Sequence, residues 1–303
     1  MDRFEGMSTL LAIVAQGSLS AAGRALRVPV TTVSRRLSDL ETLLGTRLLL
    51  RTTRRLTLTD AGIAYVEAAR RIVALVEEAE REAAGEFLAP RGELVLSAPL
   101  LFGRLHVLPV VAEFLAQFAE INVRLVLADR NVHLVDDHID MAVRIGRLPD
   151  STMVATRIGS MRTVICASPA WLAAHGAPQT PDDLRKLPCV SVDPAMPIAA
   201  WQVRQPDSGA LREIPIVARL TVSTAAAAAD AAARSVGATR LLYYQVEAAV
   251  RTGQLRIMLE EFEPEPVPIH LVHATRGQMP QKMRRFIDYA APRLRQALNS
   301  LSV

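Results

Sequence analysis

The sequence predicts a chain in two parts. The first is an all-α winged helix-turn-helix with a long linker helix, and the second is a larger α/β unit. Three observations predict it. Apolar residues recur at helical spacing through the first ninety positions. From Glu93 onward short β-rich runs alternate with helical ones, which argues for a largely parallel sheet. The charge is also uneven: Met1 to Thr59 holds nine Arg against four acidic residues, a net of +5 in a chain whose total is +4. A basic segment on a near-neutral body suits a polyanionic partner.

Phe4, Met7, Leu11 and Val14 place a helix over 3–16, ended by Gly17. Ser20 reads as the N-cap of a short helix over 21–27, with Leu19 as its staple residue. Val28-Pro29 then forces a turn. A third helix spans 30–44, and Gly45 closes it. Its apolar positions Val33, Leu37, Leu40 and Leu44 lie within about 40° of one another. Thr31, Arg35, Ser38 and Thr42 take the opposite face, with Thr32 and Ser34 on its flanks. Short hydroxyl side chains let such a helix sit deep in a major groove, where Arg pairs with guanine O6 and N7. In the following run, Leu56-Thr57-Leu58 alternates like a strand, and a hairpin with Arg51, Thr53, Arg54 and Arg55 near its tip makes a wing able to straddle phosphates. The candidate DNA contacts are therefore Ser20, Thr31, Thr32, Ser34, Arg35, Arg36, Ser38, Arg51, Thr53, Arg54 and Arg55.

Thr59-Asp60 reads as an N-cap pair for a helix running to about residue 88. Tyr65, Ala69, Ile72, Val76, Ala79 and Ala83 follow 4-3-4-3-4 spacing, that of an a/d seam. So short a seam is equally that of an amphipathic helix packed on its own domain. Pro90-Arg91-Gly92 ends it, giving 1–59, 60–90 and 91–303 as the organisation. Beyond it, strands are expected at 94–97, 123–127, 141–145, 164–167, 216–220, 255–259 and 267–272. Helices are expected at 101–117, 225–233 and 280–298.

Composition and motifs exclude several classes. Cys166 and Cys189 form neither a disulfide framework nor a CxxC pair. No signal peptide and no uncharged apolar run of membrane-spanning length is evident, so a cytoplasmic protein with no membrane partner is expected. No GxSxG, P-loop, GxGxxG or HExxH occurs, so neither an enzyme nor a metal or cofactor site is expected. His270 and His273 fall on opposite faces of a strand, and Asp136, Asp137, His138 and Asp140 read as a helix end.

The stretch GSLSAAGRALRVPVTTVSRRLSDLETLLGTRLLLRTTRRLTLTDAG resembles the DNA-binding signature of the LysR-type transcriptional regulators, without gaps from Asp2 to Gly62. Gly23 departs from the family's usual Ala, at about 0.5–1 kcal/mol for a mid-helix glycine. GELVLSAPLLFGRLHVLPVVAEFLAQF, HIDMAVRIGRLPDSTMVATRIGS and MPQKMRRFIDYAAPRL resemble the same family's effector domain. The resemblance implies a two-lobed effector-binding domain built like a periplasmic binding protein. Lobe one would be about 92–160 and 268–303 and lobe two about 161–267, with crossings near 159–162 and 266–268. It implies a linker helix that dimerises, tetramers formed through the sensing domains, an operator in double-stranded DNA, and RNA polymerase as partner of an activator. It also implies a place at the nucleoid and a small-molecule effector of unknown identity between the lobes.

Ligands in such domains lie beyond strand ends. Ser97 and Pro99 would then sit at a helix N-terminus facing the cleft, with Phe102 and Gly103 close behind. Ser223 or Thr224 caps the Ala-rich helix across from them, and Gly146, Arg147 and Thr239 complete the candidates. Two competing readings are weaker. A solute-binding protein would need export and would not carry ninety residues of DNA-binding pattern, and an enzyme would need a catalytic constellation.

Overall fold

The computed structural model describes residues 2–51, 56–83, 90–129, 132–148, 153–192, 199–274 and 279–301. It divides into two compact units, Met1–Ala89 and Pro90–Val303.

In the first unit, α1 (Arg3–Gln16) is capped by Asp2, whose carboxylate accepts the Phe4 N–H at 2.9 Å, and closed by Gly17 at φ 70°. The cap of α2 (Leu19–Leu26) is Ser18, not Ser20. Ser18 is the extended residue whose hydroxyl accepts the Ala21 N–H at 3.1 Å, which leaves Ser20 exposed in the first turn. The left-handed Arg27 (φ 55°) ends α2 and turns the chain into α3 (Val30–Leu44), closed by Gly45. Leu10, Ile13, Ala22, Val33, Leu37, Leu40 and Val66 form one core. Leu44, expected inside, is 37% exposed, because the last turn of α3 runs past that core.

β1 (Leu49–Arg51) and β2 (Leu56–Leu58) pair antiparallel as the base of the wing. The Glu41 carboxylate secures it by accepting the Leu48 and Leu49 N–H groups at 2.8 and 3.1 Å. α4 (Asp60–Ala83) begins at Thr59, whose hydroxyl accepts the Gly62 N–H at 2.9 Å. Gly62 is sterically required: a Cβ there would lie 2.0 Å from the Leu48 carbonyl oxygen.

The second unit holds two five-stranded sheets. Its strands are β3 (Gly92–Ala98), β4 (Ile121–Leu127), β5 (Met141–Ile145), β6 (Val154–Met161), β7 (Thr163–Ala167), β8 (Pro188–Val192), β9 (Ala200–Arg204), β10 (Leu211–Pro215), β11 (Val217–Val222), β12 (Ala238–Leu242), β13 (Arg256–Met258) and β14 (Val267–His273). The orders are β4-β3-β5-β14-β6 and β11-β8-β12-β7-β13, and β9 and β10 form a separate hairpin. Each sheet is mixed rather than largely parallel. β3 is parallel to β4 and β5, and β8 to β11 and β12, whereas β14 and β7 run antiparallel to both of their neighbours. The antiparallel strands are those that carry the chain between lobes, from β6 to β7 and from β13 to β14.

In lobe one, α5 (Leu100–Gln117), with a π-helical turn at Gly103–Val107, buries Phe102, Val110, Val111 and Phe114 against the sheet and against Phe286 and Leu294 of the last helix, Gln281–Asn299. α5 is the one single helix among the described residues long and apolar enough to cross a membrane, and here it is a core element. In lobe two, α6 (Pro169–His175) and the hairpin cover one sheet face through Trp171, Trp201 and Ile214. α7 (Ala225–Ala233) and α8 (Tyr243–Arg251) cover the other, where the small side chains of Ala228, Ala229 and Ala232 let the helix lie close to the strands. The expected helix end at 136–140 is a turn, in which Asp137 accepts the His133 N–H and Asp140 the Val95 N–H.

Candidate functional site

On α3, Thr31, Arg35, Ser38 and Thr42 are exposed, and Thr32 and Ser34 are half-buried. Arg35 forms no hydrogen bond or ion pair among the described residues. Arg36, by contrast, is paired to Glu5 of α1 at 2.8 Å, so its guanidinium braces two helices rather than facing outward alone. An open groove of about 570 Å³ runs between the end of α3 and the wing, lined by Ser34, Ser38, Glu41, Thr42, Gly45, Thr46, Arg47 and Leu49. Thr46 and Arg47 are additions to the candidates. They stand in the turn that joins helix to wing, and Arg47 is exposed. The backbone of Arg51 ends β1. Thr53, Arg54 and Arg55 lie outside the described residues.

α4 carries two apolar faces. Val66 and Ala69 are buried in the core of the first unit and Tyr65 packs against it, with its hydroxyl pKa raised by burial. Two of the six expected seam positions, Tyr65 and Ala69, are therefore spent inside their own domain. Ala61, Ala64, Ala68, Ile72 and Leu75 lie within about 80° on a different face, about 110° around the helix at 100° per residue. Ile72 is 43% and Leu75 59% exposed. Val76 is half-buried, and the side chains of Ala79 and Ala83 lie outside the described ones.

In lobe one, Ser97 is 4% exposed, and its hydroxyl, without a hydrogen-bond partner, lines a cavity of about 140 Å³. Ala98, Pro99, Asp129, Val143 and Arg144 share the lining, at the C-terminal ends of β3, β4 and β5. Ser97 does not cap α5. The Leu100 N–H donates to the Asp129 carboxylate at 2.9 Å, so a residue 29 positions away already brings a negative charge to this helix N-terminus. Pro99 precedes the helix as its cap residue instead of opening it. Arg144 donates to the Val132 carbonyl, and burial lowers its pKa.

The remaining effector candidates disperse. Phe102 is fully buried in a ring cluster with His106 and Tyr244, at centroid distances of 4.9 and 5.4 Å. Gly103 is a packing residue: a Cβ there would lie 3.1 Å from that of Ala98 and would displace Leu127. Gly146, at φ 110°, serves the backbone, donating its N–H to the Pro268 carbonyl at 2.9 Å, and Arg147 is exposed beside it. Thr224 caps α7, accepting the Ala227 N–H at 3.3 Å, while Ser223 is exposed. Thr239 is fully buried and donates its hydroxyl to the Val190 carbonyl at 3.1 Å, which removes it from any cleft.

Two features escaped the sequence. Arg162, between β6 and β7, donates to both oxygens of Glu263 (2.9 and 2.8 Å) and to Glu260 (2.9 Å), tying together the two segments that cross between lobes. Burial also pushes the Cys166 and Cys189 thiols up to about 12, which keeps both protonated and unreactive. Among the described residues no group of side chains could hold a metal ion.

The family description "LysR substrate binding domain" matches residues 89–295, and "Bacterial regulatory helix-turn-helix protein, lysR family" matches residues 4–63. An HTH-type transcriptional regulator of Xanthomonas campestris pv. campestris is 34% identical over 93% of this chain and 83% of its own length. The probable HTH-type transcriptional regulator LtrA of Klebsiella pneumoniae is 32% identical over 93% and 92%. Among solved structures, CrgA of Neisseria meningitidis, a LysR-type transcriptional regulator, superposes with a TM-score of 0.61 at 27% identity, covering 96% of this chain and 98% of its own. Full-length LysG of Corynebacterium glutamicum, solved with the effector Arg bound, shares the fold with a TM-score of 0.56 at 22% identity over 98% and 99%.

Proposed function

Because the chain belongs to the LysR family, it is a DNA-binding transcriptional regulator with an effector-binding domain and not an enzyme, and we propose that α3 and the wing read its operator while a small effector enters the Ser97 cavity. The observation that carries the first half is the outward face of α3, with unpartnered Arg35 among short hydroxyl residues beside an open groove. Ser38, Thr31 and Thr42 allow close approach, Arg35 supplies the base-edge contact, and Arg47 with the wing arginines supplies phosphate contacts. Arg35→Ala is expected to cost about 1–3 kcal/mol at the operator and to relax specificity, whereas Arg54→Ala weakens binding to all sequences and lowers the salt slope by about one. Fluorescence anisotropy on operator and scrambled DNA across salt separates the two. Unchanged operator affinity for Arg35→Ala refutes the reading.

The second half rests on the Ser97 hydroxyl, buried, unpartnered and open to a cavity at strand ends. Ser97→Ala is expected to weaken the response to effector while leaving unliganded operator binding intact, and loss of DNA binding would instead make Ser97 structural. The protein acts in the cytoplasm at the nucleoid, as a homodimer joined through the exposed α4 stripe or as a homotetramer of such dimers paired through the sensing domains, and contacts RNA polymerase where it activates.

A further inference from the structure

Arg240, on β12 of lobe two, is half-buried and donates to nothing among the described residues. Burial lowers its pKa, which disfavours its charge. A guanidinium cannot shed its proton, so such a position carries an uncompensated desolvation cost. Its neighbours deepen the anomaly. Thr163, the first residue of β7, is 6% exposed and its hydroxyl is also without a partner, and Gln202 of the hairpin has a free side-chain amide. All three line one narrow crevice with Val203, Phe262 and Glu263. Among the described residues Glu263 is the only carboxylate lining it, and both of its oxygens accept from Arg162.

We propose that Arg240, Thr163 and Gln202 form an anion subsite in lobe two, which takes a carboxylate or phosphate group of the effector. Arg240 and Thr163 line the crevice with no acceptor among the described residues, Gln202 stands exposed at its edge, and a guanidinium fork matches the two oxygens of either group. The reading rests on the effector-binding role of this domain, and it moves the anion preference away from α5, whose N-terminus Asp129 already occupies. The crevice has no room for a water in this conformation, and the crossing segment Phe262–Pro264 forms one wall. An anion that reaches Arg240 therefore has to displace that segment, which couples occupancy to the arrangement of the lobes.

The test is thermal unfolding of the full chain in formate, phosphate and sulfate against chloride at matched ionic strength. In the wild type, formate or the tetrahedral oxyanions are expected to raise Tm beyond chloride, and which of them does so tells carboxylate from phosphate recognition. Arg240→Met should melt no lower than wild type in chloride, because it removes the unpaired cation. It should also need about ten- to hundredfold more anion for the same shift, as expected when a charge-assisted hydrogen bond is lost. Ser97→Ala should keep the anion shift. An Arg240→Met protein that keeps the shift, or that melts well below wild type in chloride, overturns the subsite, as does a wild type insensitive to all three anions. If Ser97→Ala abolishes the shift while Arg240→Met keeps it, the cavity in lobe one stands and the subsite falls.

Discussion

Leu75→Glu tests which face of α4 meets a second copy of the chain. Ile72 and Leu75 are 43% and 59% exposed on that face. Full burial of such a side chain contributes about 2.5 kcal/mol, so covering these fractions is worth about 1 and 1.5 kcal/mol per protomer, or about 5 kcal/mol in a symmetric pair. Replacing Leu75 removes about 3 kcal/mol of that, on the order of a hundredfold in dissociation constant, before the penalty of bringing two carboxylates together. Sedimentation velocity across a concentration series should show the dimer dissociating, with α-helical content unchanged and operator affinity reduced. Ala69→Glu is the control. Ala69 is fully buried in the first unit, so a charge there should unfold that unit instead of merely separating protomers. If Leu75→Glu sediments as wild type while Ala69→Glu folds and dissociates, the assignment of faces is reversed and the reasoning fails.

Gly62→Ala forces a Cβ to within 2.0 Å of the Leu48 carbonyl, a backbone atom that cannot yield cheaply. It should destabilise the first unit by about 3 kcal/mol in a thermal melt, and a neutral result would mean that α4 can shift at its start. Arg162→Ala leaves the Glu263 carboxylate, 13% exposed, without its fork. Because Arg162 is itself 29% exposed, the loss is discounted to about 2 kcal/mol of effector-domain stability. Amide exchange should rise at the two crossing segments before it rises in the sheets, and uniform protection would argue against a tie at the hinge. His106, His270 and His273 each hold a buried ring nitrogen with no partner, and burial lowers all three pKa values below 6.5. Protonation thus favours the unfolded chain. The stability is fully present above pH 6.5 and falls as pH drops toward the folded values, so His106→Gln should flatten the acid limb of a Tm–pH curve. An unchanged limb would exclude that residue.

The helix-turn-helix was legible because its signals are local. A 3.6-residue apolar period, glycine C-caps at Gly17 and Gly45 and the break at Pro29 each act within a few residues. The misplaced cap at Ser20 shows the limit of such signals, since Ser18 and Ser20 offer the same hydroxyl and only backbone conformation chooses between them. The effector domain was legible in its longer elements, but β6, β8, β12 and the β9–β10 hairpin were not anticipated. Except for the eight-residue β6, these strands are short, and runs such as Ala238–Leu242 lead directly into a helix with no turn residue between. Strand direction was hidden for another reason: β7 and β14 are antiparallel because the chain changes lobes there, a property of topology and not of composition. The linker seam misled because heptad spacing identifies apolar positions without saying which of two faces α1 has already taken.

Charge placement is where sequence and structure part most instructively. Arg35, Arg36 and Arg240 are alike in a sequence, yet one is exposed, one is paired to Glu5 and one is half-buried without an acceptor. Only long-range packing separates them, and each then implies a different role. In the proposed readings the two residues without a described partner serve the two functions, Arg35 outside for DNA and Arg240 inside for an anion. The paired ones, Arg36 and Arg162, hold elements in place. Arg162 matters most to the switch, because Glu263 is at once its partner and a wall of the Arg240 crevice. A ligand can shift the lobes only by the difference in its affinity for the two arrangements. An anion that binds Arg240 only when the Glu263 segment has moved would have that difference built into its site.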